Sequence, residues 1–151
     1  MAIKNVLIFV LVEILATSFA DAQSTIGIIH VNGTLYCTTN GNITAGPDAS
    51  ATPVFPNAAL QVACSAEVVA LAPVNGTTNS NGAYLVVLIP RSNATVNSIV
   101  SNCRLFVLTP LSSCNAALPA TGLVSNLRFV KTVYGFLPLT YMAATGFALQ
   151  P

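Results

Sequence analysis

The sequence predicts an all-β fold: a small disulfide-linked β-sandwich or β-barrel of about seven strands, following a cleaved signal peptide. Three observations carry this expectation. Short runs rich in Val, Ile, Leu and Thr alternate with a period of two and are separated by Gly, Pro and Asn turn signals. No stretch sustains the 3.6-residue apolar spacing of a long helix, and no internal repeat is present. Four cysteines, Cys37, Cys64, Cys103 and Cys114, all fall beyond an N-terminal export signal, the pattern of a small exported domain held by two disulfides.

The export signal has three parts. Lys4 precedes the apolar run 6–12, and Ala20-Asp21-Ala22 supplies a small-x-small cleavage site, so cleavage is expected after Ala22. Glu13 interrupts the apolar run, which is shorter than the roughly 20 residues of a spanning helix, so an uncleaved anchor is disfavoured. The chain therefore divides into a signal peptide, 1–22, and a single β-domain, 23–151, that ends in an apolar tail from about residue 133 to 151.

Taken in order, the first strand candidate is 24–31, which runs through Asn32-Gly33, a bend or bulge signal, into a strand ending at Cys37. Period-two alternation turns Leu35 and Cys37 inward and Asn32, Thr34 and Tyr36 outward. A turn-rich loop spans 39–57. Strands follow at 59–64, with Leu60, Val62 and Cys64 inward, and at 67–71; Asn75-Gly76 and Asn81-Gly82 then read as turns. Segment 83–89 is apolar on both faces, as a central strand would be, and Pro90 ends it. Residues 92–102 suit a helical turn or loop. Segment 103–109 is a strand with Cys103, Leu105 and Val107 inward, and 127–131 is a last strand with its cations outward. The uncharged tail admits three readings: a final strand with packed loop, an exposed lipophilic tail, or a lipid-anchor signal, for which the polar spacer is missing.

Four cysteines allow three connectivities. Cys64 and Cys103 lie on apolar faces at the end of one strand and the start of another, which favours a 64–103 bridge with 37–114 as the outer link over 37–64 with 103–114.

Charge is scarce. Beyond the signal, Arg91, Arg104, Arg128 and Lys131 stand against Asp48 and Glu67, a formal net charge of +2. Without a basic run, nucleic acid is not an expected partner, and no further transmembrane segment is read in the mature chain. Four N-x-T sequons, at Asn32, Asn42, Asn75 and Asn93, predict N-glycosylation that would supply the missing polarity. His30 is the single histidine and no C-x-x-C pair exists, so neither a metal nor another cofactor is expected. A triad can be written from a serine, His30 and Asp48, but no G-x-S-x-G elbow supports it, and Glu67 has no carboxylate neighbour in sequence. The expectation is a non-enzymatic protein.

Several motifs, taken together, resemble one family. They are Asn32-Gly33-Thr34-Leu35-Tyr36-Cys37-Thr38, Thr52-Pro53-Val54-Phe55-Pro56-Asn57-Ala58, Leu60-Gln61-Val62-Ala63-Cys64, Asn81-Gly82-Ala83, and Thr109-Pro110-Leu111-Ser112-Ser113-Cys114-Asn115-Ala116. They resemble the phylloplanin-like plant proteins, a branch of the pollen olive-allergen and extensin-like family. The resemblance implies a β-barrel or sandwich with Cys37 paired to Cys114 and Cys64 to Cys103. It also implies secretion onto the aerial plant surface and a defence role, the inhibition of spore germination and early infection by oomycetes and fungi. Wider relatives often carry a C-x-x-C at the first site and a late cysteine; Asn40 and an uninterrupted apolar tail stand here instead. A pathogen-surface or cuticle-wax component is the implied partner. The alternatives are a cell-wall or matrix structural protein, for which a proline-rich stalk is missing, and a lipid carrier.

Overall fold

The computed structural model describes residues 26–43 and 52–151. The expected signal peptide, Thr44 and Asp48 lie outside the described residues. The elements are β1 Ile28–Thr34, β2 Ala59–Cys64, β3 Val74–Thr77, β4 Ala83–Leu88, α1 Val96–Asn102, β5 Cys103–Val107, a 3-10 turn Leu111–Ser113, β6 Leu123–Val133, β7 Leu139–Ala144 and β8 Ala148–Leu149. The strand order is β3-β2-β5-β6-β7-β1-β4, with β8 pairing β6. Neighbours are antiparallel except β1 and β7, which are parallel.

The two ends of that order meet. A Cβ on Gly76 of β3 would lie 3.0 Å from Val86 Cγ2 of β4, so the sheet curls into a nearly closed barrel. Closure protects the strand edges that would otherwise pair with other chains. Alternation fills the interior: Ile29 and Val31 of β1, Leu60 and Val62 of β2, Val86 and Leu88 of β4, Leu105 and Val107 of β5, Leu123 and Leu127 of β6 and Met142 of β7 are all buried. Three buried hydroxyls serve loose backbone groups, as burial requires. Thr78 Oγ1 accepts from Ala58 N at 2.8 Å and donates to Phe55 O at 2.6 Å. Ser125 Oγ accepts from Thr145 N at 3.1 Å and Gly146 N at 3.2 Å. Thr140 Oγ1 donates to Ile26 O and lies 2.9 Å from Thr132 Oγ1.

Several local expectations are corrected. Segment 67–71 is no strand: only an isolated Val69–Pro90 bridge forms, and Leu71 takes a left-handed backbone, φ 58°. Asn75-Gly76 is not a turn but the middle of β3, because β2 offers a full antiparallel register against it. Segment 83–89 is not buried on both faces. In the barrel β4 turns Tyr84, Val86 and Leu88 inward and leaves Leu85, Val87 and the following Ile89 on the outer face, which no second layer of the described residues covers. Residues 127–131 are not the last strand, since β7 and β8 follow. Asn32-Gly33 produces no bulge, as the β1–β4 register runs unbroken from Ile29 to Thr34. Residues 96–102 form a short helix, with Thr95 Oγ1 accepting from Ser98 N at 3.0 Å and Ser98 Oγ accepting from Thr95 N at 2.8 Å in a capping box. Of the three readings of the tail, the packed one describes 139–151. Thr140, Met142 and Phe147 are buried, and Gln150 Nε2 donates to Val107 O at 3.1 Å and Leu123 O at 2.9 Å.

Two disulfides fasten the fold. One joins Cys64 to Cys103, which face each other directly in the β2–β5 register. The other joins Cys37 to Cys114 and fastens the segment after β1 to the loop after β5.

The Tyr84 ring lies against Gly33, its partner across the strands, and its hydroxyl would meet a Cβ there at 2.7 Å. Burial pushes the Tyr84 phenol up to about 12 from its ordinary value of 10.0. The fold thus holds the neutral phenol, while the unfolded chain ionises near pH 10. The contribution is complete below pH 10 and is lost as pH rises toward 12, a change of about 2 to 3 kcal/mol. Denaturant midpoints measured across that range should fall in the native protein and fall less steeply in Tyr84→Phe.

Candidate interaction surface

The outer face of β4, β1, β7 and β6 is built in rows by the registers already given. Val87, His30, Tyr141 and Lys131 lie side by side across the four strands. The next row toward the β6–β7 connection holds Ile28, Leu139 and Val133. Exposed Ile89 continues β4 at that end and accepts at its carbonyl from Ala70 N at 2.8 Å, which places Leu71 at the same rim with 86 % of its surface exposed. A left-handed conformation costs a non-glycine residue about 1 kcal/mol or more, so an apolar side chain is held out to water there against local preference.

Beyond the last paired row, residues 134–137 turn the chain from β6 into β7. Tyr134 and Leu137 are largely exposed and Phe136 fully so. The base of this hairpin rests on the entry to β1: Ile28 N donates to Pro138 O at 3.2 Å, and Gly27, φ 65°, passes so close that a Cβ would overlap that carbonyl. The register shift between Phe129 and Lys131 re-aims the distal half of β6, where Phe129, Val130 and Val133 are all exposed. Lys131 Nζ sits 5.4 Å from the Tyr141 ring centroid, within cation–π range, and Arg128 lies opposite Ala143 in the row on the other side. The result is an apolar tip with cations behind it. Sequence reasoning had these residues only as part of a generic tail; Gly135 and Pro138, three apart between two alternating runs, were the available turn signal.

The other predicted residues fall elsewhere. Asn32, Asn42, Asn75 and Asn93 are each exposed, on β1, the following loop, β3 and the turn before α1. His30 stacks edge-on against Tyr141, 5.8 Å between centroids. Glu67 is exposed on the 65–73 loop, which with Arg91 lines a shallow groove of about 390 Å³. The structure does not bring His30 and Glu67 into one site: they sit on different rows and loops. Among the described residues no group of three His, Cys, Asp or Glu side chains could hold a metal ion, and no helix is long and apolar enough to cross a membrane. A second open groove, about 350 Å³, runs along Ala63, Ser65, Asn102, Arg104 and Phe106, but Ser65 Oγ and the Asn102 amide oxygen already bond each other at 3.1 Å.

Comparison with known proteins agrees with the sequence motifs. The family described as Phylloplanin antifungal protein matches residues 25–151. A curated relative named Phylloplanin, from Nicotiana tabacum, is 37 % identical over 154 residues, covering 97 % of this chain and 95 % of the relative. No solved structure matches.

Proposed function

The chain belongs to the phylloplanin family, and from that premise we propose that it is a secreted, non-enzymatic plant-surface glycoprotein that inhibits spore germination and early infection by oomycetes and fungi. The observation that carries the reading is the family match across 25–151. The apolar outer face supports it, because exposed apolar surface concentrated at one end of a barrel suits adsorption to a cuticle or pathogen surface. The exposure of Asn32, Asn42, Asn75 and Asn93 supports glycan attachment without disturbing the core. Side chains fill the barrel interior, so a lipid would meet the outside of the barrel.

Purified protein added to germinating oomycete or fungal spores should reduce germination in proportion to dose, and a heat-denatured, reduced sample should not. Unchanged germination at every dose would remove the defence reading. Brief water washing of intact leaves should release the protein, whereas recovery only from salt-extracted wall fractions would favour the cell-wall alternative.

A further inference from the structure

We propose that the β6–β7 hairpin, residues 134–137 with Val133 and the cations Arg128 and Lys131 behind it, docks the barrel onto an anionic phospholipid surface. This deepens the reading above by naming what the exposed face contacts, and it rests on that reading.

The tip extends past the last paired rows, Thr132 with Thr140 and Val133 with Leu139, and an added Cβ on Gly135 would meet nothing within 4 Å. Phe136, Leu137 and Tyr134 can therefore leave water without moving the barrel. Such side chains insert shallowly, about 5 to 10 Å, at the boundary between headgroups and acyl chains. Tyr134 and Tyr141 have the amphipathic rings that favour that boundary.

Charge complementarity selects the surface. From residue 68 to 151 the chain carries Arg91, Arg104, Arg128 and Lys131 and no aspartate or glutamate side chain at all. Arg128 and Lys131 stand on the strand that feeds the tip, so headgroup phosphates at the depth of Lys131 would meet cations unopposed by any carboxylate side chain of β6 or β7. A wax film offers these cations no counter-charge. A second copy docked tip to tip would bring like charges together. An anionic bilayer satisfies both the apolar tip and its cationic base.

The last sequon ends at Thr95, and none falls in residues 96–151, so the hairpin lies on a stretch where no N-linked glycan is encoded. Asn32, the sequon on this outer face, is two residues beyond His30 on the side away from the tip, where the row of Ala143 and Arg128 runs.

The test uses the full secreted protein with vesicles of phosphatidylcholine alone, the same vesicles with phosphatidylserine, and wax particles. Sedimentation should show binding to the phosphatidylserine vesicles that weakens with added salt. Phe136→Ser with Leu137→Ser should reduce that partitioning roughly tenfold or more. Lys131→Gln and Arg128→Gln should each reduce it about fivefold. Denaturant midpoints close to that of the native protein will establish that these exposed substitutions leave the fold intact. Equal binding by the Phe136/Leu137 variant, or equal binding to neutral vesicles and wax, overturns the proposal, as does salt-insensitive self-association through the tip. Inhibition of germination without vesicle binding would sink the lipid assignment and leave the defence reading standing. Vesicle binding without inhibition would support the lipid assignment and count against the defence reading.

Discussion

Replacing Cys37 and Cys114 together by alanine is expected to lower the unfolding free energy by about 4 kcal/mol. The two residues are 77 apart in sequence, and the Cys64–Cys103 bridge is nested inside that span. With the inner bridge intact, the outer one still closes an effective loop of roughly forty residues, and closing such a loop removes about 4 kcal/mol of unfolded-state entropy in the chain model. The structure explains why the outer bridge has so much to hold. Cys37 ends the segment after β1, where Cys37 N donates to Pro53 O at 2.9 Å and Phe55 N to Leu35 O at 2.9 Å. Cys114 follows the 3-10 turn, whose Leu111 is fully buried. Without the covalent link, that loop is tied mainly by backbone bonds such as Leu111 N to Thr121 O at 3.0 Å. Urea titration of the double variant against the native protein measures the loss. A midpoint unchanged at equal slope would mean that the bridge contributes nothing, and the entropic account would fail.

The second large effect is expected at Met142. Met142→Ala should cost about 2 to 5 kcal/mol, while Phe136→Ala, six residues earlier in the same apolar stretch, should change stability by less than about 0.5 kcal/mol. Met142 is fully buried, paired with Val31 on one side and Phe129 on the other, so its loss leaves a cavity in the middle of the sheet. Phe136 touches water on all sides and leaves no cavity. Equilibrium unfolding of the two variants reads the difference directly. Similar small effects at both positions would mean that the C-terminal stretch is a lipophilic appendage and that β7 is not integral to the barrel.

Much of the fold was legible because strand periodicity is local. Leu60 and Val62, Leu105 and Val107, and Leu35 and Cys37 could be assigned inward from alternation alone, and each pair is buried. Turn chemistry was equally local at Asn81-Gly82, where Gly82 adopts φ 75° and donates to Asn79 O at 3.0 Å. The errors came where a partner strand decided the outcome. Asn75-Gly76 has turn propensity, yet β2 recruits it as a strand; 67–71 has strand composition, yet no neighbour pairs it beyond one bridge. The apolar outer residues of β4 read as buried because hydropathy records what a residue prefers and not whether a second layer covers the outer face of the barrel.

The candidate surface divides the same way. The near absence of acids and the placement of every sequon before residue 96 are properties of the sequence by itself, as are the all-β class and the family motifs. Only the tertiary structure decided that the C-terminal stretch splits into a central strand and an exposed tip. β7 is drawn between β6 and β1, burying Thr140 and Met142, while residues 134–137 extend past the last paired row. The physical reason is that burial depends on contacts between segments distant in the chain, as Ile28 and Leu139 are, and such contacts leave no periodic trace in either segment alone.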